Sequence, residues 1–282
     1  MAHAPAQYRL VVFDELEDPR PLRDLFCQVL GVHPTDAAQW VARVPGVWPK
    51  LLGEADVRRL LDGLYALEIA AEAWRVDAFP DLRRPRTIHE AACLDGGLRI
   101  SGLRGEPTHW VPWDKVEMLA AGTIAADDDD RAVTPPGWVN ALSTGFRAAI
   151  GRAPRGVRRP RTFRAAREPV PEVLIVRRDP LVAFRVIANQ MNYGYLGDRL
   201  RPSAVDNFPL FLADLRRLAT RAIVTPTTDD LLHPDPEAVD PDDHEFGNQQ
   251  ALIDYATLRL LWGWYRRDRE KLEGTDEHRQ IS

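Results

Sequence analysis

A catalytic or metal site would have to be built from histidines, cysteines and clustered carboxylates. The seven histidines are dispersed. His33 lies near a helix-like stretch, His89 in a strand-like one and His109 in a hairpin, while His233 and His244 flank the acids of "HPDPEAVDPDDHE". Asp240, Asp242, Asp243 and Glu245 offer oxygens to a divalent cation, but the run lacks the glycine and alternate-position order of an EF-hand loop. A solvated acidic loop accounts for it more simply, as it does for Asp127 to Asp130. The two cysteines, Cys27 and Cys93, sit far apart in apolar surroundings and make no C-x-x-C pair. They read as small core residues of a reducing compartment, and neither a metal nor a cofactor is expected.

Two further stretches hold groups suited to recognition. "MNYGYLGDRLRPSAVDNF" gathers Asn192, Tyr193, Tyr195, Asp198, Arg199 and Asn207 around Gly194 and Gly197. A loop between a strand and a helix is a common place for a binding site. Here no base–nucleophile pair is readable, so the residues are expected to plug the core and satisfy backbone groups. Arg152, Arg155, Arg158, Arg159, Arg161, Arg164 and Arg167, with Phe163 among them, form a basic run able to pair phosphates. The competing reading is an arginine-rich linker lying against the chain's own acidic loops. No G-x-G-x-x-G, GK[ST], G-x-S-x-G or H-E-x-x-H motif is present. Trp110, Trp113, Trp262 and Trp264 are expected to anchor a core or inter-domain contact.

Composition narrows the function classes. The net charge of -5 opposes a whole-protein basic footprint for nucleic acid, though not a local one. Lys50, Lys115 and Lys271 are the only lysines among 37 basic residues, a bias that fits a GC-rich bacterial genome. The abundance of arginine therefore does not by itself point to bidentate recognition. No leader segment and no 18-residue apolar run is readable, so a cytoplasmic protein without a membrane span is expected.

These groups need elements to position them. "YRLVVF" predicts a buried strand, "LRDLFCQVLG" a helix stopped by Gly31, and "HPTDAAQWVARVP" a second helix with Pro34 or Thr35 near its start. A third helix follows from about Glu54 to Leu67, then a strand around Ala73 to Val76. Residues 79–86, "FPDLRRPR", predict a linker. Beyond it, Gly96-Gly97 and Gly105-Glu106-Pro107 signal hairpins, and "EVLIVRRDPLVAFRVIA" predicts two strands around an Arg-Asp-Pro turn. Ser203 with Asp206 three residues on predicts a capped helix bearing Phe208, Phe211, Leu212 and Leu215. Residues 225–245 predict an acidic loop, and 246–272 a final amphipathic helix. The whole predicts an α+β protein: a small β-α-α-α-β domain over 1–78, then a larger antiparallel-sheet domain over 87–282 with an Arg-rich loop at 152–168.

Residues 7–78 resemble the fold shared by the ClpS protease adaptor and the C-terminal domain of the ribosomal stalk protein. Tyr8, Val11 and Val12 fit the opening strand, Asp14-Glu15 the acidic turn, and Asp18-Pro19 the place of Thr-Pro. Leu22, Leu25, Val29 and Leu30 fit the first helix, and Ala37, Trp40, Val41 and Val44 the second. "VLGVHPTDAAQWVARVPGVWPKLL" follows the stalk domain's rhythm of helix, turn, helix, proline and Leu-Lys. In ClpS an acidic pair and a histidine hold the amino group of a degradation signal; here Leu16 fills one acid position and Pro45 the histidine position. Of the stalk domain's factor-binding lysines, Lys50 has a counterpart. The remainder resembles bacterial pleckstrin-homology-type domains. The resemblance implies a non-enzymatic adaptor that binds a protein or peptide through Asp14, Glu15, Asp18, Trp40 and Lys50. The alternative is a nucleic-acid- or ribosome-associated protein using Arg155, Arg158, Arg159, Arg161 and Arg164.

Overall fold

The structure is a computed structural model that describes residues 6–102, 107–125, 169–233, 235 and 239–280. The chain divides into two compact units, Met1–Pro80 with Leu258–Ser282, and Asp81–Thr257.

In the first unit, strand β1 (Gln7–Val12) occupies the middle of the sheet. It pairs antiparallel with β4 (Ala71–Arg75) on one side, Leu10 opposite Ala73. On the other side it pairs with two short strands, β2 (Gly46–Val47) and β3 (Leu52–Gly53). A strand paired on both edges, with alternating side chains, buries two faces. Leu10 and Val12 face helices α1 (Arg20–Leu30), α2 (Pro34–Val41) and α3 (Glu54–Ala66), and pack with Leu22, Phe26, Val41, Leu60 and Leu64. Helix α1 ends at Gly31, whose φ of +62° is a left-handed conformation that glycine takes without a steric penalty. On the opposite face, Phe13 meets Trp262 and Tyr265, with ring centroids 5.1 and 4.9 Å away, and Trp74 meets Trp264 at 5.5 Å.

Three details refine what the sequence predicts. β2 and β3 are too short to carry a readable period, so the β-α-α-α-β pattern gains strand pairing between its second and third helices. Helix α2 is capped by His33, whose Nδ1 accepts the Thr35 N–H at 3.3 Å, with Pro34 as first helical residue. The last strand begins at Ala71, two residues ahead of the predicted Ala73.

The second unit carries a six-stranded sheet in the order Ile223–Val224, Val116–Ile124, Val170–Arg177, Val182–Ile187 and Arg86–Ile88, with Glu245–Phe246 also paired to Val116–Ile124. Its antiparallel centre is β9 (Val116–Ile124), β10 (Val170–Arg177) and β11 (Val182–Ile187). The flanking strands β5 (Arg86–Ile88), β12 (Ile223–Val224) and β13 (Glu245–Phe246) all pair in parallel, so the sheet is mixed rather than purely antiparallel. A separate meander joins β6 (Ala91–Leu94), β7 (Gly97–Ile100) and β8 (His109–Pro112). Helix α4 (Ala204–Leu218) sets Phe208, Phe211, Leu212 and Leu215 into one core with Leu98, Val111, Val173 and Ile175. Ser203 is its cap residue but makes no side-chain cap bond. Asn207 closes the turn instead, accepting the Arg201 N–H and donating to the Arg201 and Ser203 carbonyls, each at 2.8 Å.

The segment 225–245 is not simply an acidic loop. It forms β12's continuation into helix α5 (Pro226–Leu231), a 3-10 turn at Pro241–Asp243, and β13. Its threonines are buried because they finish the edge of β9. The Thr227 hydroxyl donates to the Ala121 carbonyl at 2.6 Å, and the Thr228 hydroxyl accepts the Ala121 N–H at 2.8 Å. Side-chain oxygens thus do what a neighbouring strand would do. The final helix, α6 (Gln249–Gln280), is longer than the predicted 246–272. Its residues from Leu258 onward belong to the first unit, whereas the sequence reading assigned the whole helix to the second domain.

Candidate functional site

The five residues expected to bind a partner separate into two places. Asp14 leaves the end of β1, and its Oδ2 accepts the Ala70 N–H, so this carboxylate pins the start of β4. Asp18 is held by Arg20, whose Nη2 lies 2.8 Å from Oδ2, and the hydrogen bond to Arg20 draws its carboxyl down to about 2. Glu15 is exposed. The acidic trio therefore offers one carboxylate without an assigned internal role.

Trp40 and Lys50 do come together. Trp40 stands at the end of α2, one residue off the row that buries Ala37 and Val41, and is partly exposed. Lys50 lies in the link between β2 and β3 and places Nζ 4.5 Å from the Trp40 ring centroid. That position suits cation–π attraction, worth about 0.5–1 kcal/mol at an exposed site. Behind them Trp48 is buried, edge-on to Trp40 at 4.6 Å and against Phe26 at 4.2 Å. Leu51, next to Lys50, is 41% exposed. The result is an ammonium and two apolar side chains on a rigid backing.

In the second unit, the loop after β11 is built into the core. Tyr193 and Leu196 are buried, and the Tyr193 hydroxyl donates to the Ala188 carbonyl at 3.0 Å. Asp214 of α4 accepts the Tyr195 hydroxyl at 3.0 Å, Arg199 at 2.7 and 3.2 Å, and Arg217 at 3.4 Å. Burial pushes the Asp214 carboxyl up, but the hydrogen bonds from Arg199 and Tyr195 hold it below the usual carboxylate range. Burial also pushes the adjacent Cys93 thiol up to about 12 and raises the Tyr195 phenol. A thiol so raised is not a thiolate at neutral pH, so this cluster holds no ready nucleophile. It ties the loop to α4, the structural role expected of it.

A cavity of about 400 Å³ lies beside β5, a size within the range of small-molecule sites. Two strand registers make it. Arg86 is opposite Phe184 in the parallel pair β5–β11, and His109 is opposite Ile100 in β7–β8. His89, just past β5, aims Nδ1 at the Gln190 carbonyl, 3.2 Å away. A carbonyl only accepts, so that nitrogen carries the proton. Ser101 donates to Glu90 Oε1 at 3.2 Å on the rim. Ile88, Ile100 and Phe184 are the buried apolar part of the lining. The sequence reading placed His89 and His109 in a strand and a hairpin but did not bring them together. No local spacing signals a parallel pairing of segments about a hundred residues apart.

No family model, curated protein or solved structure matches this chain.

The basic-patch residues Arg155, Arg158, Arg159, Arg161 and Arg164, with the rest of the arginine run and Asp127 to Asp130, lie outside the described residues. Among the described residues no group of His, Cys, Asp or Glu could hold a metal ion, the acids at 240–245 included. There Asp243 and Asp230 are raised, first by burial and then by repulsion from neighbouring carboxylates, chiefly Asp240 for the former and Asp243 for the latter. No helix among the described residues is long and apolar enough to cross a membrane.

Proposed function

We propose that this chain is a non-enzymatic interaction protein whose first unit binds a peptide or a protein segment through Trp40, Lys50 and Leu51. The observation that carries the reading is the Lys50 ammonium held over the partly exposed Trp40 ring, with exposed Leu51 beside it. Such a face suits a segment that sets an acidic side chain next to an apolar one. The carboxylate would pair with Lys50 and the apolar group would cover Trp40. The succession of α1, the Gly31 turn, α2, Pro45 and Leu51-Leu52 supports the adaptor-like and stalk-like resemblance of this unit. Asp14 and Asp18 are occupied by Ala70 and Arg20, so an amino group held by acids is the less favoured form of recognition. A cytoplasmic setting is part of the proposal, supported by two unpaired cysteines.

The test is selection of random peptides on the immobilised full-length chain. Enriched peptides are expected to share an acidic residue beside an aromatic or aliphatic one. Selection on the Lys50→Glu chain should then recover basic residues at that position. Enrichment that is the same on both chains would count against the proposal.

A further inference from the structure

The cavity beside β5 has features that the peptide face does not use. Several arginines of the described residues pair with a carboxylate, as in Arg20–Asp18, Arg75–Asp77, Arg185–Glu172 and Arg199–Asp214. Arg86 has no such partner among the described residues, although the chain is acidic overall. His109 makes no hydrogen bond among the described residues, and His89 uses only Nδ1 among them. Ser101 donates its hydroxyl hydrogen bond to Glu90 and so offers the cavity only lone pairs. Three nitrogen groups able to donate therefore line a space that the buried residues Ile100 and Phe184 also line.

We infer that this cavity binds a small organic anion, a carboxylate or phosphate group carried on an apolar body. Arg86 and His109 hold the anionic group, and Ile100 and Phe184 receive the apolar part. Guanidinium geometry matches two oxygens of either anion, and an imidazole adds a directed donor. The registers Arg86–Phe184 and Ile100–His109 fix an ionic and an apolar contact on each side, so the site is formed by strands rather than by loops alone. This inference stands apart from the peptide-binding proposal, since each concerns a different unit of the chain.

The test is titration of the full-length chain with 3-phenylpropionate, phenyl phosphate and the neutral 3-phenylpropionamide, by calorimetry and by the imidazole NMR signals. At least one of the two anions should bind saturably and shift the signals of His89 and His109, and the preference between them identifies the anionic group. Arg86→Gln and His109→Gln should each weaken that binding by about tenfold, with unchanged circular dichroism. Absence of saturable binding by both anions would overturn the inference. Equal binding of the amide, or anion binding untouched by both substitutions, would do so as well.

Discussion

At Cys93, burial converts a potential nucleophile into a packing group. With its thiol raised to about 12 against an ordinary value near 8.5, the thiolate fraction at pH 8 falls by roughly a thousandfold. In a Cys27→Ser chain, maleimide labelling of Cys93 at pH 8 should lag a free thiol by that order and become rapid only in denaturant. Fast labelling of the native chain would show that the site is open. Asp214 behaves in the opposite sense. Its carboxyl is lowered in the folded state, so its contribution is present above the ordinary carboxylate value and is lost as pH falls through the native one. Asp214→Ala removes the shared acceptor of Tyr195, Arg199 and Arg217. A loss of about 1–3 kcal/mol at pH 7 is expected, because the charged carboxylate's hydrogen bonds to Arg199 and Tyr195 are lost. That difference should shrink toward pH 3 in urea titrations, and a pH-independent difference would contradict the assignment.

At the scale of elements, the outer edge of β9 shows what the sequence could and could not reveal. The apolar runs of β10 and β11, and the i, i+3, i+4 rows of α1 and α4, are readable because packing against a core imposes their periods. The 225–231 segment is not, because "TPTTDDL" has the composition of a loop. Only the partner backbone at Leu119 to Ala121 turns those hydroxyls into strand substitutes. Thr228→Val keeps the shape and removes the acceptor of the Ala121 N–H, so a loss of about 1–3 kcal/mol is expected by urea denaturation. A change near zero would mean that water replaces the hydroxyl. Farther along β9, Gly122 gives room to Phe246 of β13: an added Cβ would lie 2.3 Å from the ring. Gly122→Ala should therefore displace β13 and cost about 1–3 kcal/mol, visible as faster amide exchange at Thr123 and Ala125, whose N–H groups bond to the His244 and Phe246 carbonyls.

At the scale of the whole molecule, the chain returns to its first unit at the end. Trp262, Trp264 and Tyr265 complete the face of the sheet that presents Phe13 and Trp74. Amphipathic spacing predicted that helix, but not which unit its second half completes, since that depends on contacts between the two ends of the sequence. The cavity residues were hidden for the same reason. Arg86 and Phe184 carry no shared local pattern. Ending the chain after Thr257 should uncover Phe13 and Trp74, at roughly 1.5–3 kcal/mol for each large side chain re-exposed, and produce binding of a hydrophobic dye. An unchanged unfolding curve would deny that packing. Trp40 and Lys50, in contrast, both stand out in the sequence, and the structure adds their mutual contact. The most direct measurement on the central claim is calorimetry of a selected acidic–apolar peptide against the full-length wild-type, Trp40→Ala and Lys50→Glu chains. The account predicts saturable binding to the wild type and a loss of about tenfold or more in each variant. Equal affinity in all three chains would contradict it.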